Sequence, residues 1–202
     1  MSFLIIPVVL LVGLLAIGLP AWAQRRRRLG LAQSAHKVGL RFSAPDIFQV
    51  SRRYACFVLA QAGHSPLAEN VLYGRFDQWQ VRCFDYRFEA GHGPRRIVRR
   101  YSVMVADTDI VTPRTILWDQ NDTGLMPLAA QHAQSHLSHW WIVDGPEYAA
   151  KLLSACEELA SQPVHLQAEG GTIIACFPRR WLARQVPDRL AEFSRALAKL
   201  QG

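Results

Sequence analysis

The stretch WQVRCFDYRFE, residues Trp79–Glu89, determines the fold class of this 202-residue chain. Its apolar side chains alternate with polar ones, as in a β-strand, but the alternation changes face halfway along. The first face carries Trp79, Val81 and Cys83, and the second carries Phe84, Tyr86 and Phe88. Such a change of phase predicts either a β-bulge or burial on both faces of the strand.

A second strand is predicted directly after the first. Arg96–Ala106 places Tyr101, Val103 and Val105 on one face. The intervening loop, Ala90–Pro94, contains two glycines and a proline and favours a hairpin. The sheet is therefore predicted to be mostly antiparallel.

Other segments have strand-like patterns bounded by turn residues. They are Arg53–Ala62, Asn70–Phe76, Thr115–Trp118, His139–Val143, Val164–Glu169 and Thr172–Phe177. The last two flank Gly170-Gly171, a dipeptide that suits a tight hairpin turn. The polar stretch Asp119–Ser138 between strands is predicted to be a loop.

Three segments have helical patterns. Leu29–Leu40 is a short helix, Asp144 and Glu147 have the spacing of a capping box before a second helix at Tyr148, and Pro187–Leu200 is amphipathic. The predicted fold class is α+β, with one N-terminal transmembrane helix followed by a mostly antiparallel sheet packed by two or three helices.

The transmembrane prediction rests on Phe3–Ala23 (FLIIPVVLLVGLLAIGLPAWA), which has no charged residue. Its length matches the roughly 20 residues that cross a bilayer as a helix. Ala21-Trp22-Ala23 also resembles a signal-peptide cleavage site, but a signal peptide carries basic residues before its apolar run, and Met1-Ser2 has none. We therefore expect an uncleaved anchor.

A block of four arginines, Arg25, Arg26, Arg27 and Arg28, follows the apolar segment. Basic residues stay on the cytoplasmic side, so the predicted topology is N-terminus out, in the inner (cytoplasmic) membrane of a bacterium. The block is expected to contact the bilayer's anionic headgroups. The predicted organisation is an anchor (1–24), a basic juxtamembrane helix or linker (25–41) and a cytoplasmic α+β domain (42–202).

The block also explains most of the chain's basic character, because it supplies four of the +7 net charges. No nucleic-acid-binding motif accompanies the remainder, so no nucleic-acid partner is expected. Cys56, Cys83, Cys156 and Cys176 lie in apolar surroundings without metal-ligand spacing and are interpreted as buried thiols of a reducing compartment. The three possible disulfide pairings remain open.

Three groups of residues are candidate sites. His132, His136 and His139 would share one face of a helix, which makes them weak metal-ligand candidates, but no carboxylate lies among them. Asp85 and Glu89 would be roughly 13 Å apart on a strand, too far for paired catalytic carboxylates, and are expected to pair with Arg95, Arg96, Arg99 or Arg100. The loop Gly91–Arg96 could bind an anion but lacks a P-loop pattern. No catalytic residue or cofactor is therefore expected.

The segments Asn70-Val71-Leu72-Tyr73-Gly74 and Phe84-Asp85-Tyr86 carry a resemblance. Behind an N-terminal membrane helix, they are similar to a group of uncharacterised bacterial single-pass membrane-anchored proteins with N-V-L-x-G and F-D-Y motifs. The resemblance covers residues 29–105 and implies the architecture but no activity.

The expected function is a non-enzymatic accessory or assembly subunit. It would bind other membrane protein subunits on the cytoplasmic face of a larger complex, for example a respiratory or photosynthetic one. The alternative is a membrane-surface enzyme or a lipid- or ligand-sensing domain that uses the polar region 119–139.

Overall fold

The computed structural model describes residues 5–122, 133 and 135–202, and for residues 5–12, 14, 15, 17 and 136 it describes the backbone alone. The described helices are α1 (Ile5–Lys37), α2 (Val50–Arg53), α3 (Pro146–Ala155) and α4 (Val186–Gln201). The described strands are β1 (Arg41–Pro45), β2 (His64–Phe76), β3 (Trp79–Ala90), β4 (Ile97–Asp119), β5 (Ser135–Leu137), β6 (Trp140–Asp144) and β7 (His165–Phe177). The 3-10 turns are Val58–Gln61, Gly93–Arg95, Leu159–Ser161 and Ala183–Gln185.

The described strands form one antiparallel sheet with β4 at its centre. One edge of β4 pairs with β3 over residues 97–107 and with β6 over residues 116–119, and the other edge pairs with β7. β2 and then β1 continue the sheet beyond β3, and β5 continues it beyond β6. The predicted α+β class with a mostly antiparallel sheet is confirmed.

Both faces of the sheet are covered. A hydrophobic cluster joins α1, α3 and α4 to one face, and a second cluster joins the segment Val50–Leu59 to the other. The change of phase in β3 follows from this arrangement. Trp79 and Val81 contribute to the helix-covered face, whereas Phe84 and Tyr86 contribute to the opposite face. Burial on both faces is therefore correct, and the pairing of β3 with β4 has no bulge.

The strand predicted at Arg53–Ala62 is wrong. This segment forms the end of α2 and the 3-10 turn Val58–Gln61. Its apolar side chains, Tyr54, Phe57, Val58 and Leu59, are buried against the second face of the sheet. A short apolar run is compatible with a buried strand or a buried helical turn, and here the need to cover the sheet decides between them.

The hairpin predicted at Gly170-Gly171 is also wrong. β7 runs without reversal from His165 to Phe177 along β4, and the register shifts on either side of Thr112. Gly170 has a φ of 59°, a left-handed value that glycine adopts freely and asparagine tolerates, and it lies at this irregularity. The strand predicted at Thr115–Trp118 is the last part of β4.

The start of α3 differs from the predicted capping box. Gly145, with a φ of 63°, is the N-cap residue, and no side chain caps the helix. Asp144 instead accepts a hydrogen bond from the Gly145 N–H at 2.9 Å. The amphipathic helix predicted at Pro187–Leu200 is confirmed as α4.

The helix predicted at Leu29–Leu40 is the C-terminal part of α1, which is continuous from Ile5 to Lys37. The predicted boundary between anchor and linker, at residue 24, therefore lies inside this helix. Most of the predicted anchor, Phe3–Ala23, belongs to the same helix. None of the helices that the structure describes combines the length and the apolar character needed to cross a membrane.

Candidate functional site

The site is the junction between α1 and the sheet, where polar side chains interrupt the apolar packing. The guanidinium of Arg27 donates two hydrogen bonds to Asp85 of β3, from Nε to Oδ2 at 2.8 Å and from Nη2 to Oδ1 at 2.6 Å. Its Nη1 donates to the carbonyl oxygen of Trp181 at 2.7 Å. Arg27 is 18% exposed and Asp85 3%, so this is a largely buried, bidentate ion pair.

Asn70 completes the partners of Asp85, because its Nδ2 donates to Oδ2 at 2.8 Å. Asn70 is buried in β2 with a φ of 56°, a conformation that asparagine tolerates better than most residues. It lies where the pairing of β2 with β3 shifts register between Glu69 and Leu72. Such bulges redirect side chains, and this one places the Asn70 amide beside Asp85.

Glu69 forms a second acidic centre of the junction. It accepts hydrogen bonds from Gln24 of α1 at 3.0 Å and from Arg180 at 2.7 Å, and Arg28 lies 3.9 Å away. Residues of α1 therefore contact two carboxylates of the sheet through three different side chains. These contacts fix the rotation of α1 about its axis.

The chain that follows β7 forms the other wall of the junction. Trp181 donates its backbone N–H to the Ser102 hydroxyl at 3.0 Å, and Ser34 of α1 donates to the Ala183 carbonyl at 2.7 Å. Gly30 faces Ala183 so closely that an added Cβ would lie 3.1 Å from the Ala183 Cβ. A glycine at position 30 therefore lets α1 lie close against the segment that leads to α4.

The arginine block is divided between the domain and the solvent. Arg27 is paired with Asp85, whereas Arg25, Arg26 and Arg28 are exposed, with Arg28 3.9 Å from Glu69. The Arg26 guanidinium lies 5.4 Å from the ring centre of Trp22. Arg27 therefore has a structural role that the sequence did not indicate, whereas the headgroup contact predicted for the block stays a prediction.

A second group of buried polar side chains, separate from the junction, is centred on His165 of β7. His165 Nδ1 accepts the Asp119 backbone N–H at 3.1 Å, so its Nε2 carries the proton toward Asp122 Oδ2 at 2.8 Å. Tyr101 donates to the same oxygen at 2.7 Å. Trp118 stacks on the imidazole with ring centres 3.6 Å apart.

Burial lowers the pKa of His165. The hydrogen bond and the negative charge of Asp122 act to raise this pKa, but the effect of burial is larger. Burial alone would raise the pKa of Asp122, but the hydrogen bonds from His165 and Tyr101 outweigh it, and the pKa is lowered. The pKa of Tyr101 is raised by burial and by Asp122. The group is a neutral histidine that bridges a carboxylate and a backbone amide, and no thiol or aliphatic hydroxyl hydrogen-bonds to it among the described residues. Nothing in the sequence pattern singled out His165.

A small cavity lies between Val50–Ala60 and the second face of the sheet. Its volume is about 40 Å³, and its walls include Phe57, Tyr86, Trp118 and Gln167. That volume holds a few water molecules, whereas pockets for organic ligands usually measure about 300–1,000 Å³. The cavity is too small for a substrate or a lipid chain without rearrangement of its walls.

The three histidines that are weak metal-ligand candidates are described only in part. His132 lies outside the described residues, and only the backbone of His136 is described, in β5. His139 precedes β6 and is half buried, so His136 and His139 do not share a helix face. Within the part of the chain that the structure describes, no three His, Cys, Asp or Glu side chains are placed to hold a metal ion.

The other predicted residues have separate partners. Glu89 pairs with Arg96 as expected, but Asp85 pairs with Arg27 rather than with an arginine of β4. The Gly91–Arg96 loop is the exposed tip of the β3–β4 hairpin. Three cysteines are buried as predicted, whereas Cys56 is exposed.

No protein-family model and no curated protein sequence matches the chain. Among solved structures, the chain is similar to the crystal structure of the mycobacterial trehalose monomycolate transport factor A, TtfA, with a TM-score of 0.58 and 11% sequence identity. The match covers 87% of this chain and 93% of that chain. At this identity, the likeness shows a shared fold.

Proposed function

We propose that this chain is a non-enzymatic, membrane-anchored accessory subunit of a larger membrane protein complex. In this proposal, the uncharged segment Phe3–Ala23, most of whose side chains lie outside the described part of the structure, crosses the inner membrane of a bacterium with its N-terminus outside. The sheet domain lies at the cytoplasmic face and binds other membrane subunits.

The observation that carries the proposal is the junction between α1 and the sheet. Residues 18–26 of α1 are exposed, including Leu19 and Trp22 at 59% each, while Arg27 onward is fixed to the domain. An apolar helix end without a protein partner favours burial in lipid. The buried ion pair then gives the domain a defined position relative to that helix, as an assembly factor needs.

The division of the arginine block supports the proposed topology. Arg25 and Arg26 are exposed directly after the uncharged segment and would remain on the cytoplasmic side. The stacking of Arg26 on Trp22 places a cation and an aromatic ring together, a combination that suits a headgroup layer.

The non-enzymatic part of the proposal is supported by the closed surroundings of His165 and its partners. His165 is 4% exposed, with both ring nitrogens engaged, and the adjoining cavity is small. The solved neighbour is named as a transport factor, so we add a transport complex to the respiratory and photosynthetic complexes as a class of partner.

The experiment is purification of the tagged full chain from native membranes in a mild detergent, with quantitative mass spectrometry of the copurifying proteins. The matched control is the same domain on an unrelated transmembrane helix of equal length. The proposal predicts that one set of membrane proteins copurifies with the chain in a fixed ratio. If the domain makes the contact, the control copurifies with the same set. Recovery of the chain alone, as a single species, would contradict it.

A further inference from the structure

The end of the β3–β4 hairpin, residues 91–100, comprises the loop 91–96 and the first four residues of β4 and is strongly basic; it is called the hairpin tip below. It contains four arginines and one histidine and no acidic residue. Arg95, Arg96 and Arg100 are exposed, and Ile97 is 50% exposed between them. Only Arg96 has a carboxylate partner in the described structure, Glu89 of the adjoining strand. Arg95 and Arg100 have no ion-pair partner among the described residues.

The contacts of α1 show which way its apolar end points. Leu40, just after the helix, lies against Gly74, and further toward the N-terminus Arg27 is at Asp85 and Gln24 is at Glu69. Moving toward the N-terminus of α1 therefore means moving along β3 from Val81 toward its C-terminal end, because Gly74 pairs with Val81 and Glu69 with Asp85. The hairpin tip lies at that end of β3.

The distances allow the tip to reach the membrane end of the helix. Six residues separate Asp85 from Gly91, or about 20 Å along a strand. Ala23, where the uncharged segment ends, lies four residues before Arg27, or about 6 Å along the helix. The hairpin is therefore long enough to reach the headgroup layer, and its arginines remain at the headgroups when β3 is inclined to α1.

We propose that the hairpin tip is a second membrane contact, which binds the headgroups of anionic phospholipids. The inference rests on the proposed anchoring of α1. Arg95 and Arg100 supply the charge, and each basic residue near an anionic leaflet strengthens binding about fivefold. Ile97 provides an apolar side chain at the same edge. The helix and the tip together hold the domain in one orientation on the membrane.

The test uses the full chain reconstituted into lipid vesicles. Exposed Cys56 is replaced by serine, and a single reporter thiol is introduced by Pro94→Cys at the hairpin tip. The control site is Val111→Cys, because Val111 is 88% exposed and lies on the same strand, 14 residues beyond Ile97 or about 46 Å along it. Each thiol carries a fluorophore, and the vesicles contain a lipid with a quencher on its headgroup.

Flotation of the vesicles first establishes whether the chain is incorporated. In vesicles that contain phosphatidylglycerol, we expect quenching at position 94 to exceed that at position 111 severalfold, and to decline in phosphatidylcholine alone or in 1 M salt. Arg95→Gln with Arg100→Gln should weaken the contact about 25-fold, from two arginines at about fivefold each. Arg96 is left unchanged because it pairs with Glu89.

Each outcome identifies which proposal fails. A chain that does not float with the vesicles contradicts the anchor, and with it the membrane contact. Equal quenching at the two positions in a chain that does float contradicts the hairpin contact alone. In that case the arginines would face solvent or an acidic protein.

Discussion

Asp85 of β3 accepts two hydrogen bonds from the guanidinium of Arg27, a residue 58 positions earlier in the chain. Asp85 lies on the helix-covered face, two residues after Cys83, and ends the apolar side chains of β3 on that face. An unpaired carboxylate there would be very costly, so α1 supplies its counter-ion. The same contact attaches the helix to the domain.

The first prediction concerns the removal of this carboxylate. Asp85→Ala leaves Arg27 and Asn70 without their acceptor and should lower the free energy of unfolding by about 3–5 kcal/mol. Urea denaturation of the detergent-solubilised chain measures the change. The control is Glu158→Ala, which removes an ion pair with Arg195 that is exposed on both sides and should have little effect. Equal effects of the two substitutions would contradict a structural role for Asp85.

The second prediction separates two arginines of one block. Arg27→Lys keeps the charge but loses the bidentate geometry and the bond to the Trp181 carbonyl, and should cost about 2 kcal/mol. Arg25→Lys changes an exposed residue and should alter stability by less than about 0.5 kcal/mol. The readout is the urea midpoint of each variant. If Arg27→Lys and Arg25→Lys lower the urea midpoint equally, Arg27 has no structural role that Arg25 lacks.

The third prediction is a loss of stability on acidification that depends on His165. Its pKa is lowered in the folded chain, so the unfolded chain binds the proton first, near its ordinary pKa of about 6.5. The stabilisation is therefore complete above that pH and is lost as the pH falls below it, by at most about 1.4 kcal/mol per pH unit. Denaturation at pH 7.5, 6.5 and 5.5 should show this slope.

The control for the pH series is His165→Gln, which preserves an acceptor and a donor without a titrating group. The variant should be less stable at pH 7.5 but should show a shallower dependence on pH. The lowered pKa of Asp122 adds a separate loss at more acidic pH, below its ordinary value of about 3.9. An unchanged slope in the variant would assign the pH dependence to other groups.

The fourth prediction distinguishes two adjacent glycines. Gly170→Asn occupies open space at a φ that asparagine tolerates and should be nearly neutral. At Gly171, a Cβ would collide with the Thr108 carbonyl oxygen, so Gly171→Asn should cost about 1–3 kcal/mol. Thermal unfolding of both variants provides the comparison. If both are tolerated, β7 does not lie against β4 at this point.

The sequence predicts the elements whose pattern is local. The β3–β4 hairpin has alternating apolar residues and a glycine-rich loop, and α4 has a continuous apolar stripe. Both patterns report burial over several consecutive residues, so they do not depend on the rest of the fold. The glycine pair in β7 misleads because positive φ values serve bulges as well as turns.

The site itself depends on contacts between distant segments. Asn70 and Asp85 belong to the two motifs that carry the family resemblance, yet their hydrogen bond and the partner Arg27 emerge only when α1 lies against the sheet. One signal was available: an aspartate at a buried position of a strand requires a cation. The block at residues 25–28 is a source of such a cation, but its position after the uncharged segment indicates a membrane contact instead.

The thiols offer the most direct test of the central claim, that α1 holds the domain on the cytoplasmic face of the membrane. Cys56 is exposed, whereas the other cysteines are buried, and burial raises the pKa of Cys83 and of Cys156 to about 12. A membrane-impermeant maleimide should therefore label the native chain once, at Cys56, and a Cys56→Ser variant should remain unlabelled.

The measurement is this labelling in intact and in opened spheroplasts, followed by alkaline extraction of the membranes. The account predicts that the chain stays in the membrane pellet and that Cys56 reacts only after the spheroplasts are opened. Labelling of Cys56 in intact spheroplasts, or release of the chain into the alkaline supernatant, would contradict it.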